Sequence, residues 1–242
     1  MSAANLSGLA DELSSLLRLA VPPLGIAFRA GDGSEAPRYR SNPPAPTADG
    51  RTGAVPAGCV FWFKAVDQVF STRGEDHANC SVGSYTHGFA TLEEAAGKAD
   101  VAALFESGWV GEADVPKIAH VKEQPGAIVY GPLADMPVAP DVVFLRLNAK
   151  QAMIIDDALG RVRFEGKPQC HVVAIAKEEG NVAISVGCML SRVRTGMSNN
   201  ELTCAIPAAR LGEVVQKLRK NAGIERSVAA YAAADAARFA GL

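Results

Sequence analysis

The sequence predicts one α+β domain of two related, pseudo-symmetric halves, with a mixed sheet and flanking helices. Three observations point there. Two separated stretches read as copies of one another, and each carries a pair of cysteines. Apolar, strand-like runs near Leu24 and Val142 occupy matching places ahead of those copies. The chain has 242 residues, 48% hydrophobic and 21% charged, enough for one large domain with its own core and no disulfide staples. The halves fall at about 20–110 and 138–220 within a single domain spanning 1–242, and a further helix is expected over 227–240.

The copies are specific in spacing. Cys59 and Cys170 are each followed six positions later by Ala (Ala65, Ala176). Cys80 and Cys188 are each followed eight positions later by Gly and then a large apolar residue (Gly88-Phe89, Gly196-Met197). A duplicated unit packs as a pseudo-symmetric pair, and such packing brings thiols from distant positions to one place.

From the N-terminus, Leu6, Leu9, Leu13, Leu16 and Leu17 have helical spacing, with Ser2 or Asn5 as cap and Pro22-Pro23 as stop. Leu24 to Phe28 reads as a buried strand. Arg29 to Gly58 is a Pro-, Gly- and Ser-rich loop, long enough to act as a lid or binding element. Cys59 to Lys64 and Gln68 to Thr72 read as short strands, and Asp76 to Cys80 opens a turn or helix. Leu92 to Glu106 reads as a helix with a Thr91/Glu94 capping box. Val121 to Gln124 and Ala127 to Pro132 read as extended. Pro140 to Leu147 is a β-branched strand, and Ala149 to Leu159 a helix capped by Asn148. Cys170 to Ala176 and Asn181 to Val186 read as a hairpin through Lys177 to Gly180, and Glu201 to Pro207 as a strand. Ala208 to Asn221 and Ser227 to Phe239 close the chain as two helices.

Composition removes several function classes. The formal net charge is −2 and no basic run is present, so no nucleic-acid footprint is visible. No apolar run approaches the ~20 residues of a membrane span, and the first residues lack the basic and apolar regions of a leader. No membrane association and a cytoplasmic location are expected. Thiols stay reduced there, so five cysteines read as ligands, nucleophiles or core residues rather than disulfides. Walker, Gly-x-Gly-x-x-Gly, Gly-x-Ser-x-Gly and His-Glu-x-x-His motifs are absent.

Several runs together resemble the DUF169 family. They are Val21-Pro-Pro-Leu-Gly-Ile-Ala-Phe28, Cys59 with Ala65, His77-Ala-Asn-Cys80-Ser-Val-Gly83, Tyr130-Gly-Pro-Leu133, Pro140-Asp-Val-Val143, Gln151-Ala-Met153, Ser185-Val-Gly-Cys188 and Pro207 to Leu218. The resemblance covers most of the chain. It implies a mainly prokaryotic protein and, the family being uncharacterised, no activity. The chain departs from the family at Asp67 and Gln68, where Gly is usual, and in a longer Pro37–Pro56 loop.

The strongest chemical constellation is Cys59, Cys80, Cys170 and Cys188. Thiolate sets hold iron–sulfur clusters, zinc or Cu(I). Three readings stay open on sequence alone: a [4Fe–4S] cluster, zinc or another metal, or four inert core thiols. With three thiolates bound, an open iron acts as a Lewis acid on a small organic substrate; Cys170 is the one expected to be spared. His77 is the expected acid or base, with Asp76 orienting its ring. Arg192 and Arg194 are expected to clamp a substrate anion, and Tyr85 and Trp62 to line the substrate cavity. The leading function is an enzyme removing or exchanging a heteroatom substituent at the cluster. The alternative is a non-catalytic metal-binding or electron-transfer protein. The Ala-rich C-terminus is able to pack within the chain or to pair two copies as a homodimer.

Overall fold

The computed structural model describes residues 3–39 and 59–240. The proline-rich part of the expected loop, beyond residue 39, and Ser2 lie outside the described residues. Helix α1 (Ala3–Leu17) leads into β1 (Leu24–Arg29). There follow α2 (Val60–Lys64), β2 (Phe70–Thr72), α3 (Ser81–Thr86), α4 (Leu92–Ala96), α5 (Ala99–Glu106) and β3 (Ala127–Pro132). The second half runs β4 (Val142–Leu147), α6 (Ala149–Leu159), β5 (Arg163–Glu165), α7 (His171–Ala174), β6 (Ala183–Ser185), α8 (Met189–Thr195), β7 (Leu202–Pro207) and α9 (Leu211–Ala236).

The strands form one seven-stranded mixed sheet in the order β2-β3-β1-β4-β7-β6-β5. Outward from the antiparallel β1–β4 seam, the order is β1-β3-β2 on one side and β4-β7-β6 on the other, with β5 added in parallel at the edge. Period-2 alternation divides the side chains between two layers. Val143, Leu145 and Leu147 of β4 join Ile206 of β7 against α1, α6 and α9. Val142 and Phe144, with Ile26, Ile128 and Tyr130, face the opposite layer, which holds Phe61 and Trp62 of α2 and Val172 and Val173 of α7. Cys204 sits fully buried on β7. Asp141 pins the seam, its carboxylate accepting the Phe28 N–H at 2.7 Å while its own N–H donates to Ile26 O at 2.9 Å.

Helix ends follow the sequence where caps are local. Asn148 and Gln151 form a reciprocal capping box on α6, at 3.0 and 2.8 Å, and Thr91 and Glu94 form another on α4. The Gln151 amide also donates to the carbonyls of Leu17 and Arg18, closing the end of α1.

Five expectations change. Cys59 to Lys64 is helical, not extended, with adjacent Phe61 and Trp62 both buried. Cys170 to Ala176 is not half of a hairpin: α7 continues as a π-helical turn, Ile175–Glu179, stopped by Gly180 at φ +67°. Leu92 to Glu106 is broken into α4 and α5 around Gly97-Lys98. Val121 to Gln124 lies in no strand. The two expected C-terminal helices are one, α9, whose buried residues end at Leu218, so 227–240 is its exposed continuation and a short 3₁₀ turn. Among the described residues no helix is long and apolar enough to cross a membrane.

Candidate functional site

Each of the four paired cysteines stands at the first cap of a helix in the same layer. Cys59 precedes α2 and Cys170 precedes α7 with nearly the same backbone, φ/ψ −63°/−19° and −66°/−21°. Cys80 precedes α3 and Cys188 precedes α8, both extended, at −144°/97° and −139°/142°. The Cys80 sulfur caps its helix by accepting the Gly83 N–H at 3.4 Å. Gly187 takes φ +98° just before Cys188, and a Cβ there would meet the Arg192 guanidinium at 2.7 Å, so only glycine suits this approach.

All four cysteines line one cavity of about 210 Å³. Its far walls, from α5 and the chain that follows, are apolar: Val101, Leu104, Phe105, Trp109, Val110 and Ile118. Gln169, Ser191, Arg194, Tyr85 and His87 border it as well. One hydrogen bond onto sulfur is the Gly83 amide on Cys80. The hydroxyls of Ser191 and Thr86 oppose the upward pKa shifts of Cys59 and Cys170, each acting from one half on a cysteine of the other, while the Thr86 hydroxyl donates to Gly83 O at 3.1 Å.

Burial, and after it the neighbouring Cys80, pushes the Cys59 thiol up to about 12 against the Ser191 hydrogen bond. Burial likewise raises Cys170 and Cys80, with Arg194 opposing the rise at Cys80. The bare site therefore holds protonated thiols at these three positions at neutral pH. Among the described residues no three His, Cys, Asp or Glu side chains are drawn together around a single ion position. A lone tetrahedral zinc needs its sulfurs about 3.8 Å apart, from zinc–sulfur bonds of about 2.3 Å. A [4Fe–4S] cluster takes its thiolates on separate irons across a larger body, and the four thiols lining the cavity are of the donor type it takes.

The other expected site residues separate. Tyr85 borders the cavity with its hydroxyl 3.0 Å from His120 Nδ1. Arg194 borders it too and makes no hydrogen bond or ion pair with the described residues; its Nη1 is buried and unpartnered. Arg192, expected beside it, donates instead to the carbonyls of Val186 (2.8 Å), Glu201 (3.0 Å) and Ser198, and is a structural strut. Trp62, expected on a cavity wall, is 1% exposed and packs on Phe144 at 4.4 Å between ring centroids, inside the core. His77 is fully buried, with Nε2 3.1 Å from Thr72 Oγ1 and its ring between Phe61 and Phe89, and is not among the residues bordering the cavity. Burial, then His87 and Arg38, hold its pKa well below 6.5. Asp76 accepts from the Arg73 N–H at 2.7 Å and pairs with Arg38 at 2.5 Å, which anchors the turn rather than orienting the His77 ring.

Two bordering residues had no place in the expected site. His87 is 1% exposed, and its Nδ1 lies 2.9 Å from Gly83 O, so Nδ1 carries the proton and Nε2 keeps its lone pair, buried and without a partner. Burial depresses its pKa to about 4. The sequence signal was available: Cys80, Gly83 and His87 stand at i, i+3 and i+7, one face of a helix. Gln169, also 1% exposed, donates to Ser191 Oγ at 2.5 Å, and its Oε1 has no partner.

No curated protein and no solved structure matches the chain. The sequence profile of one family, described as uncharacterised ArCR, COG2043, matches residues 12–217, from the middle of α1 into α9 and across all seven strands and all four paired cysteines. By that match, which takes in most of its length, the chain belongs to the family DUF169.

Proposed function

We propose that the cysteine end of the cavity holds a thiolate-bound [4Fe–4S] cluster and that the apolar remainder takes a small organic substrate. Such a cluster, held by three of these thiolates, would supply a Lewis-acidic iron for hydrolytic removal of a heteroatom substituent from the substrate. The carbon–heteroatom bond breaks, water supplies the new carbon–oxygen bond, and the substituent leaves as halide or hydrosulfide with one proton of the water. His87, neutral and bordering the cavity, takes the proton-handling part expected of His77. The cytoplasm, where thiols stay reduced, suits such a site.

The single observation that carries this reading is the convergence of four cysteines, from positions 59, 80, 170 and 188, on one cavity. The Gly83 N–H donated to the Cys80 sulfur adds to it. Outer hydrogen bonds onto ligand sulfur tune clusters and hold thiolates, and inert core thiols need none. The two Cys-bearing helix pairs, set on matching sides of the β1–β4 seam, support a duplicated origin for the site. The alternative, a non-catalytic or electron-transfer protein, requires all four thiolates on the metal and no substrate in the cavity.

The test is the iron, sulfide and zinc content of anaerobically reconstituted protein, with its visible spectrum. About four iron and four sulfide per chain are expected, and Cys80→Ser is expected to lose most of both while remaining folded by circular dichroism. Because Cys59 and Cys80 must release protons to bind, loading should be faster at pH 8.5 than at pH 6.5. A folded protein that stays colourless after reconstitution would return the thiols to the core and remove the cluster.

A further inference from the structure

The geometry points to an organic anion as the cavity's ligand: a single small ring carrying a carboxylate, its head on Arg194 and its ring against the apolar wall. This rests on the reading of the cavity as the functional site and adds the class of molecule it takes.

Three charged residues border the cavity: Asp114, Lys167 and Arg194. Two are already satisfied. Asp114 pairs with Lys117 at 3.0 Å. Lys167 donates to the Trp109 carbonyl and lies over the Trp109 ring at 4.6 Å. Arg194 alone of the three has no partner among the described residues. A guanidinium cannot shed its proton in a protein. Its Nη1 is buried at the cavity's edge without an acceptor, and an anion arriving there would supply one.

Shape restricts the anion. A volume of about 210 Å³ is roughly seven waters' share of liquid, and with its cysteine end given to the cluster it limits the ligand to one small ring and a short chain. Val101, Leu104, Phe105, Trp109, Val110 and Ile118 offer that ring no hydrogen bond other than the Trp109 N–H. Of the polar groups on the border, Gln169, Ser191 and Arg194 come from α8 and the turn before α7, as do two of the thiols, while Tyr85 and His87 come from α3 and its end, and Asp114 and Lys167 are already paired. The apolar wall comes from α5 and the segment after it. A molecule apolar at one end and anionic at the other matches this division, and it sets its head beside the sulfurs. Bulk anions such as phosphate lack the apolar body that the wall would bury.

Phenylacetate is the probe, titrated against the fluorescence of Trp109 and Trp62, with phenylacetamide and acetate as controls, on metal-free and on reconstituted protein. Phenylacetate is expected to bind both forms at least about tenfold tighter than either control, one factor of ten being ~1.4 kcal/mol. Arg194→Gln should lose that preference and Arg194→Lys should keep part of it, with circular dichroism showing both folded. Equal binding of acid and amide by the wild type would overturn the proposal, as would full acid binding by Arg194→Gln. Binding to the metal-free form that reconstitution abolishes would show the cluster to be the counter-charge of Arg194. That outcome also overturns the proposal, yet leaves the cluster in place. Iron content is read separately, so acid binding by a protein that takes up no iron would support this inference while the cluster fails.

Discussion

Trp62→Ala is expected to lower the free energy of unfolding by about 3–5 kcal/mol. The indole is 1% exposed, packed at a tilt on Phe144 and near His87, with Phe61 and Ile26 in the same layer. Truncating it removes the largest fully buried side chain of that core and leaves a void that rigid β-strands on one side and α2 on the other cannot close. Urea unfolding of the two proteins measures the difference as a lower midpoint with an unchanged slope. The effect on ligand affinity at a temperature where both are folded should be small, since Trp62 is not among the residues bordering the cavity. A midpoint unchanged from wild type, with binding lost, would move Trp62 from the core to the cavity wall.

Acid is expected to destabilise the protein steeply between pH 6.5 and pH 4. His87 has a folded pKa of about 4 against an ordinary value of 6.5, depressed by burial. In that window the unfolded chain binds a proton that the folded one refuses, so stability rises with pH. The contribution is fully present above pH 6.5 and is lost as pH falls toward 4, about 3 kcal/mol from His87 alone at ~1.4 kcal/mol per unit. His77 is depressed in the same direction by its own burial and by the His87 ring 5.4 Å away, so it steepens the slope. Denaturant unfolding at half-unit steps of pH reads the slope, and His87→Gln should flatten it. A wild-type curve flat from pH 7 to pH 4.5 would mean that the imidazoles are hydrated.

Much of the fold was legible because its signals are local. Asn148 with Gln151, and Thr91 with Glu94, mark helix starts within four residues, and the β-branched run at Val142 marks the central strand. Cys59 to Lys64 and Cys170 to Ala176 were misread because both are short apolar runs, and such runs carry no period to separate strand from helix. Gly180 was the available clue, a left-handed stop that suits a helical end.

The site divides along the same line. The cysteines were legible as a set because the spacing repeats. Arg192 and Arg194 were paired by proximity in sequence, yet two residues on a helix turn through about 200°, so α8 sends one to its neighbouring carbonyls and the other to the cavity. Gln169 was invisible because its meaning depends on Ser191, 22 positions away. His77 drew attention through its nearness to Cys80, whereas the helical register of α3 leads instead to His87.

The exchange of hydroxyls between halves bears on the order of synthesis. A nascent chain that has emerged only to Leu147 carries Cys59 and Cys80 but not Ser191, and Cys170 and Cys188 do not yet exist. Its first two thiols lack the layer that shields them and the Ser191 hydroxyl that bears on Cys59. They stand open to oxidants and to stray metals until α7 and α8 arrive and the long-range pairing β4–β7 closes, a step made late by its sequence separation. Growth under oxidative stress should therefore damage newly made chains at Cys59 and Cys80 before it touches the finished protein.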